Sequence, residues 1–155
     1  MRTPIYTWVN GAWVSHFCVE EFQSGSGVTC VNLRVVAALE RLRTNLSTDE
    51  SEEIQVIVTD GTRSDEDNER LATKYGWMDE GGKVSRNSQH LVRNGACGVD
   101  FFAQRKRRGY YGYSGKRRAI PVEQVRHAAD QVFDFVKTYK DGHVHGDQRK
   151  GGTKV

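Results

Sequence analysis

Long hydrophobic runs are missing from this chain. No stretch approaches the ~20 apolar residues that a bilayer-spanning helix needs. The first residues, Met1-Arg2-Thr3-Pro4-Ile5-Tyr6-Thr7-Trp8, also lack the apolar core of a secretion signal. The expectation is a protein made in the cytoplasm that reaches any other compartment by another device. Cysteine is scarce: Cys18, Cys30 and Cys97 cannot all pair within one chain, and no two stand as Cys-x-x-Cys. This argues against a zinc ribbon. Reduced thiols are expected, with Cys18 and Cys30 as the pair that could bridge in an oxidising compartment. Internal repeats and long linkers are absent. Net charge is only +3, so a nucleic-acid binder is not the first expectation.

What is present fits one globular domain spanning residues 1–155 and acting as a monomer. Apolar residues make up 37% and charged residues 28%, and aromatic residues are spread along the chain, unlike a disordered sequence. This length can bury a core without disulfides. Residues 1–31 read as an irregular N-terminal segment and 150–155 as a short polar tail. Leu33, Val36, Leu39 and Leu42 recur at helical steps, predicting a helix over 32–46 with Asn32 as its cap. The β-branched run 54–59 predicts a strand. Ser64, followed by Asp65, Glu66 and Asp67, predicts a second helix over 64–75. Residues 98–103 read as a strand, and Pro121 opens a third helix that the apolar spacing carries to about Tyr139. A final short strand holds His143-Val144-His145. The expected class is α+β, a small antiparallel sheet with helices packed on it.

Positive charge is clustered. Arg105-Lys106-Arg107-Arg108 and Lys116-Arg117-Arg118 flank a Gly- and Tyr-rich segment containing Tyr110, Tyr111 and Tyr113. Such a loop suits a polyanion, such as an anionic membrane surface. Tyr111 is a candidate for lining a glycan or peptide groove.

Two histidine elements carry chemistry. His143 and His145 stand two apart, so on a strand both project from one face, with Asp141 and Asp147 of the same parity and Val144 turned to the core. Imidazole and carboxylate on one face are zinc ligands. Asp100 sits in the apolar strand Gly98-Val99-Asp100-Phe101-Phe102, where a carboxylate is costly unless it is paired or bound to metal. It shares a face with Gly98 and Phe102.

Ser88-Gln89-His90, with Gly95 and Val99-Asp100 after it, resembles the Ser-x-His-x-x-Gly-x-Ala-x-Asp motif of the zinc D-Ala-D-Ala carboxypeptidase family. That family includes phage endolysins that cut L-alanyl-D-glutamate bonds, and Hedgehog signalling domains share its fold. His143-Val144-His145-Gly146-Asp147 is similar to its second motif, and Ile57 to Ser64 with Asn68 to its upstream strand and Ser-Gly-Tyr-Arg-Ser turn. The resemblance implies a Hedgehog/DD-peptidase-like zinc fold, with zinc on His90, Asp100 and His145. It further implies that Arg63 binds a substrate carboxylate or developing charge, that Ser88 supports the site, and that His143 stabilises the oxyanion. The substrate implied is a peptidoglycan stem peptide. The protein would be made in a host bacterium and act on the wall after release. His90 to Asp100 spans ten residues where the family has seven; counting seven reaches Cys97, which stands as an alternative ligand. The family carboxylate for proton transfer falls on Gly142 or Tyr139 here, and Asp141 is the nearest substitute. D,D-carboxypeptidase or D,D-endopeptidase activity shares the same site, and a non-catalytic zinc module is the alternative of another class.

Overall fold

The computed structural model describes residues 2–48, 51–107 and 116–150. Among these, three α-helices accompany a two-stranded hairpin and a small antiparallel sheet, an α+β arrangement as expected. The elements in chain order are β1 (Pro4–Val9), β2 (Ala12–Cys18), α1 (Leu33–Leu46), β3 (Glu52–Asp60), α2 (Asp65–Tyr75), β4 (Gly98–Arg107), β5 (Arg117–Ala119), α3 (Val122–Asp130), β6 (Phe135–Thr138) and β7 (Val144–Asp147). Residues 108–115, with Tyr111 and the other tyrosines of the basic loop, lie outside the described residues. The flanking Arg105, Lys106, Arg117 and Arg118 belong to the paired strands β4 and β5.

The N-terminal segment is not irregular. Asn10 and Gly11 take φ of 51° and 80°, the two positive angles that a tight turn between twisted strands requires, and β1 folds back on β2. Ile5, Thr7 and Val9 turn inward while Tyr6 and Trp8 face out, with Trp13 standing edge-on to Trp8 at 5.4 Å. Ile5 and Phe17 join the core. The hairpin is fastened to α1 by the buried Glu40, whose carboxylate accepts from the His16 backbone N–H and meets its ring Nδ1, both at 2.8 Å.

The sheet runs β3-β4-β7-β6, with β5 pairing β4 beyond β7. Strand β4 is central, and its alternation organises the molecule. Val99, Phe101 and Ala103 are buried together with Val144 of β7 and with Val35, Val36, Leu39 and Leu42 of α1. Asp100 and Phe102 face the other way, as their parity predicts. The helix ends follow the expected signals. Asn32 Oδ1 accepts from Arg34 N–H at 3.0 Å, and Ser64 Oγ accepts from Asp67 N–H at 3.1 Å while the Asp67 carboxylate accepts from Ser64 N–H at 3.2 Å.

The third helix is shorter than its apolar spacing predicts: α3 ends at Asp130 and residues 135–138 form the edge strand β6. The cause is a long-range partner. The Gln148 side chain, 1% exposed, donates to Val132 C=O at 2.9 Å and accepts from Asp134 N–H at 3.1 Å, in place of a further helical turn. Val132 and Phe133 still reach the core, from a turn instead of a helix. Replacing Gln148 by Met keeps volume but leaves the Val132 C=O without this donor, while Asp134 N–H keeps only the Asp147 C=O at 3.0 Å. Chemical denaturation is expected to show a loss of about 1–3 kcal/mol, and an unchanged midpoint would contradict this role.

Candidate metal centre

Three strands and one loop converge on Asp100. In register, Asp100 lies opposite His145 of β7 on one side and Asp60 of β3 on the other. His90 comes from the loop before β4. That loop is pinned by Arg63 N–H to His90 C=O at 2.8 Å, Val92 N–H to Arg63 C=O at 3.1 Å and Gly98 N–H to Gln89 C=O at 2.9 Å. Ser88 Oγ accepts from His90 N–H at 3.3 Å. Between His90 and Asp100 the chain makes a short 3-10 turn, Val92–Asn94, closed by Gly95 at φ 81°.

Asp100 Oδ1 stands 2.8 Å from His145 Nδ1 and 3.3 Å from His90 Nε2. One ligand atom from each of the three residues lies within 4.8 Å of the others, so His90, Asp100 and His145 form a group that could hold a metal ion. Zinc bonds of ~2.0–2.2 Å would place ligand atoms about 3.3 Å apart, the separation already present between Asp100 and His90, while the shorter Asp100–His145 contact would open slightly. Two imidazoles and one carboxylate are suitable zinc donors. Cys97 stands outside the group: its thiol donates to Gln89 Oε1 at 3.1 Å.

The far nitrogen of each ring is engaged. His90 Nδ1 donates to Gly61 C=O at 2.7 Å, which turns its Nε2 toward Asp100. His145 Nε2 meets Asp147 Oδ2 at 2.8 Å. Gly61 is required where it stands, because a Cβ there would lie 2.7 Å from Phe22 Cα. Gly146, between His145 and Asp147, likewise packs on the Phe133 ring, where a Cβ would come within 2.6 Å.

Charge at the centre is strongly stabilised. Burial opposes the Asp100 anion, but hydrogen bonds from His145 and His90 hold its carboxyl far below the usual range. Burial also raises the Asp147 carboxyl, and the bonds from Arg149 and His145 outweigh it, bringing it down to about 2. Burial would lower His145, yet Asp100 and Asp147 lift it to about 8.

The other predicted residues form the rim. Arg63, 12% exposed, pairs with Asp60 and donates to Asn68 Oδ1 at 3.0 Å and Ser88 Oγ at 3.3 Å. Its guanidinium is thus committed to a structural network, in which Asp60 Oδ2 lies 4.0 Å from His90 Nδ1. His143 Nδ1 pairs with the exposed Asp141, whose carboxylate also accepts from His143 N–H at 3.1 Å. The His143 backbone and ring N–H groups hold the Asp141 carboxyl below its ordinary value. Tyr139 stacks on His143 with ring centroids 4.2 Å apart; burial and the negative charge of Asp100 raise its phenol. Asp141 and His143 also line a cleft of about 680 Å³ whose walls include Phe102, Ala119, Ile120 and Val122. Sequence reasoning missed Gly61 and Tyr139 as parts of the site, and gave Asp147 only its parity.

The metal-free chain has a testable pH profile. His145 titrates near 8 in the fold against 6.5 for a free imidazole, so its contribution is fully present below pH 6.5 and is lost as pH rises through 8. At ~1.36 kcal/mol per pH unit the loss is about 2 kcal/mol. Urea unfolding in the presence of a chelator at pH 6 and pH 9 measures it, and equal stability at both would contradict the charged His145 bridge. No family model, curated protein or solved structure matches the chain, so its chemistry is read from the geometry of this centre.

Proposed function

We propose that the chain is a zinc-dependent peptidase that cleaves an amide bond of the L-alanyl-D-glutamate type in the stem peptide of peptidoglycan, as a phage endolysin does. The observation that carries this reading is the His90, Asp100 and His145 group, with ligand atoms within 4.8 Å of one another. Three protein ligands are the set used where one metal position is kept for chemistry. The motif resemblance supplies the substrate class, and the neighbouring cleft supplies room for a peptide.

Zinc held by these residues would act as a Lewis acid toward the scissile carbonyl and make water a nucleophile near neutral pH. The remaining chemistry belongs to side chains on the rim. Asp141, kept ionised by its bonds to His143, accepts the proton of the attacking water and passes it to the leaving amine. His143, oriented through Nδ1 by Asp141 and stacked on Tyr139, donates to the oxygen that gains charge. Arg63 shapes the floor through Asp60, Asn68 and Ser88 and adds positive potential toward a substrate carboxylate. The basic strands β4 and β5 present Lys106 and Arg117 to anionic wall groups, while Arg105 and Arg118 share Glu52.

The exposure of Asp141, 68% of its side chain, favours one second reading: a zinc-binding module without turnover. Asp141→Ala separates the two. A peptidase is expected to lose activity about 10²–10⁴-fold while binding zinc as before, and a variant as active as the parent would remove Asp141 from the mechanism. Digestion of purified muropeptides followed by mass analysis reads the bond. Stem peptides beginning at D-glutamate are expected; loss of terminal D-alanine alone would assign the D,D-carboxypeptidase alternative. His90→Ala is expected to abolish both zinc binding and wall lysis.

A further inference from the structure

Asp147 is the most deeply buried acid of the described residues, with no exposed surface. It lies at the end of β7, one residue beyond Gly146, on the same face as His145. A carboxylate in that position is costly unless every lone pair is used. Here they are shared between His145 and Arg149. Oδ2 meets His145 Nε2 at 2.8 Å and Arg149 Nη2 at 2.7 Å, and Oδ1 accepts from Arg149 Nε at 2.8 Å and from Arg149 N–H at 3.2 Å. The guanidinium of Arg149 is itself held, lying 3.9 Å from the ring centroid of Phe135. Held by Arg149 on both oxygens, the carboxylate keeps Oδ2 against His145 Nε2.

The His145 ring is closely packed. Phe135 stands edge-on at 6.2 Å between centroids. Gly98 leaves just enough room, since a Cβ there would come within 3.1 Å of His145 Cε1. We propose that Asp147 is the positioning residue of the metal centre: by accepting the Nε2 proton of His145, and being locked by Arg149 on Phe135, it fixes the ring so that Nδ1 is the atom offered to the metal beside Asp100. This rests on the reading of His90, Asp100 and His145 as metal ligands. The two histidines then bind through different nitrogens, His90 through Nε2 because Gly61 takes its Nδ1 proton, and His145 through Nδ1 because Asp147 takes its Nε2 proton. Partners of this kind raise ligand basicity and hold ring direction, and their loss costs 10–100-fold in metal affinity.

The test uses the full chain and zinc alone. Zinc affinity is measured by competition with a chromophoric chelator for the parent, Asp147→Asn and Glu40→Gln. Glu40 is the control, a buried carboxylate bonded to His16 in the hairpin contact and remote from the centre. Asp147→Asn is expected to weaken zinc binding about 10–100-fold, with Glu40→Gln within about two-fold of the parent. A folded Asp147→Asn that binds zinc as tightly as the parent would overturn the proposal. Long-range proton–nitrogen NMR of the zinc-loaded parent needs no variant. It is expected to find the proton of His145 on Nε2 and the metal on Nδ1; metal on Nε2 overturns the proposal even if Asp147→Asn fails to fold. A parent that binds no zinc overturns the metal reading itself, which is distinct from a parent that binds zinc through the wrong nitrogen.

Discussion

Asp100 places a carboxylate near the start of the central strand, and the surrounding structure answers that one charge. Moving an ion of this size out of water costs several kcal/mol even after relaxation, so the fold must return comparable interactions at the same place. His145 does so from the neighbouring strand and His90 from a pinned loop, both through Oδ1. Each histidine needs a partner behind it, which Gly61 and Asp147 supply. Asp147 in turn needs Arg149, and Arg149 rests on Phe135. The polar network is therefore continuous from β4 to the outer strand β6, over a core built on the opposite face.

That division of faces explains several residues whose identity is otherwise unremarked. Gly146 must be small because its outward neighbours hold the centre while it faces the Phe133 ring. Gly61 must be small because the Phe22 backbone crosses it, and its carbonyl is then free to orient His90. Gln148 closes the turn after α3 and so delivers Phe135 to the sheet edge, where it supports Arg149. Packing and chemistry alternate along β7: Val144 and Gly146 serve the core, while His145 and Asp147 serve the centre.

Much of this was legible in the sequence. The parity of β4 put Asp100 on a different face from Val99 and Phe101, and the His-x-His spacing paired with it. The choice between Asp100 and Cys97 was not legible from spacing alone, because it depends on how a short turn with Gly95 absorbs three residues. Asn10-Gly11 is a strong hairpin signal between alternating apolar residues, and it outweighs the Gly and Ser content that made the N-terminal segment read as irregular. The end of α3 was hidden for another reason: Val132, Phe133 and Val136 fit a helical period, and the deciding partner, Gln148, is distant in the chain. Arg63 was expected at the substrate, but its ties to Asp60, Asn68 and Ser88 make it first a strut of the site.

The proposed chemistry requires His90, Asp100 and His145 jointly to hold one zinc ion, with Cys97 outside the set. Native mass spectrometry of the purified chain and of its Asp100→Ala and Cys97→Ser variants, each equilibrated with zinc, reads this directly. One zinc per chain is predicted for the parent and for Cys97→Ser, and none for Asp100→Ala. Zinc retained by Asp100→Ala and lost from Cys97→Ser, or no zinc on the parent, would contradict it.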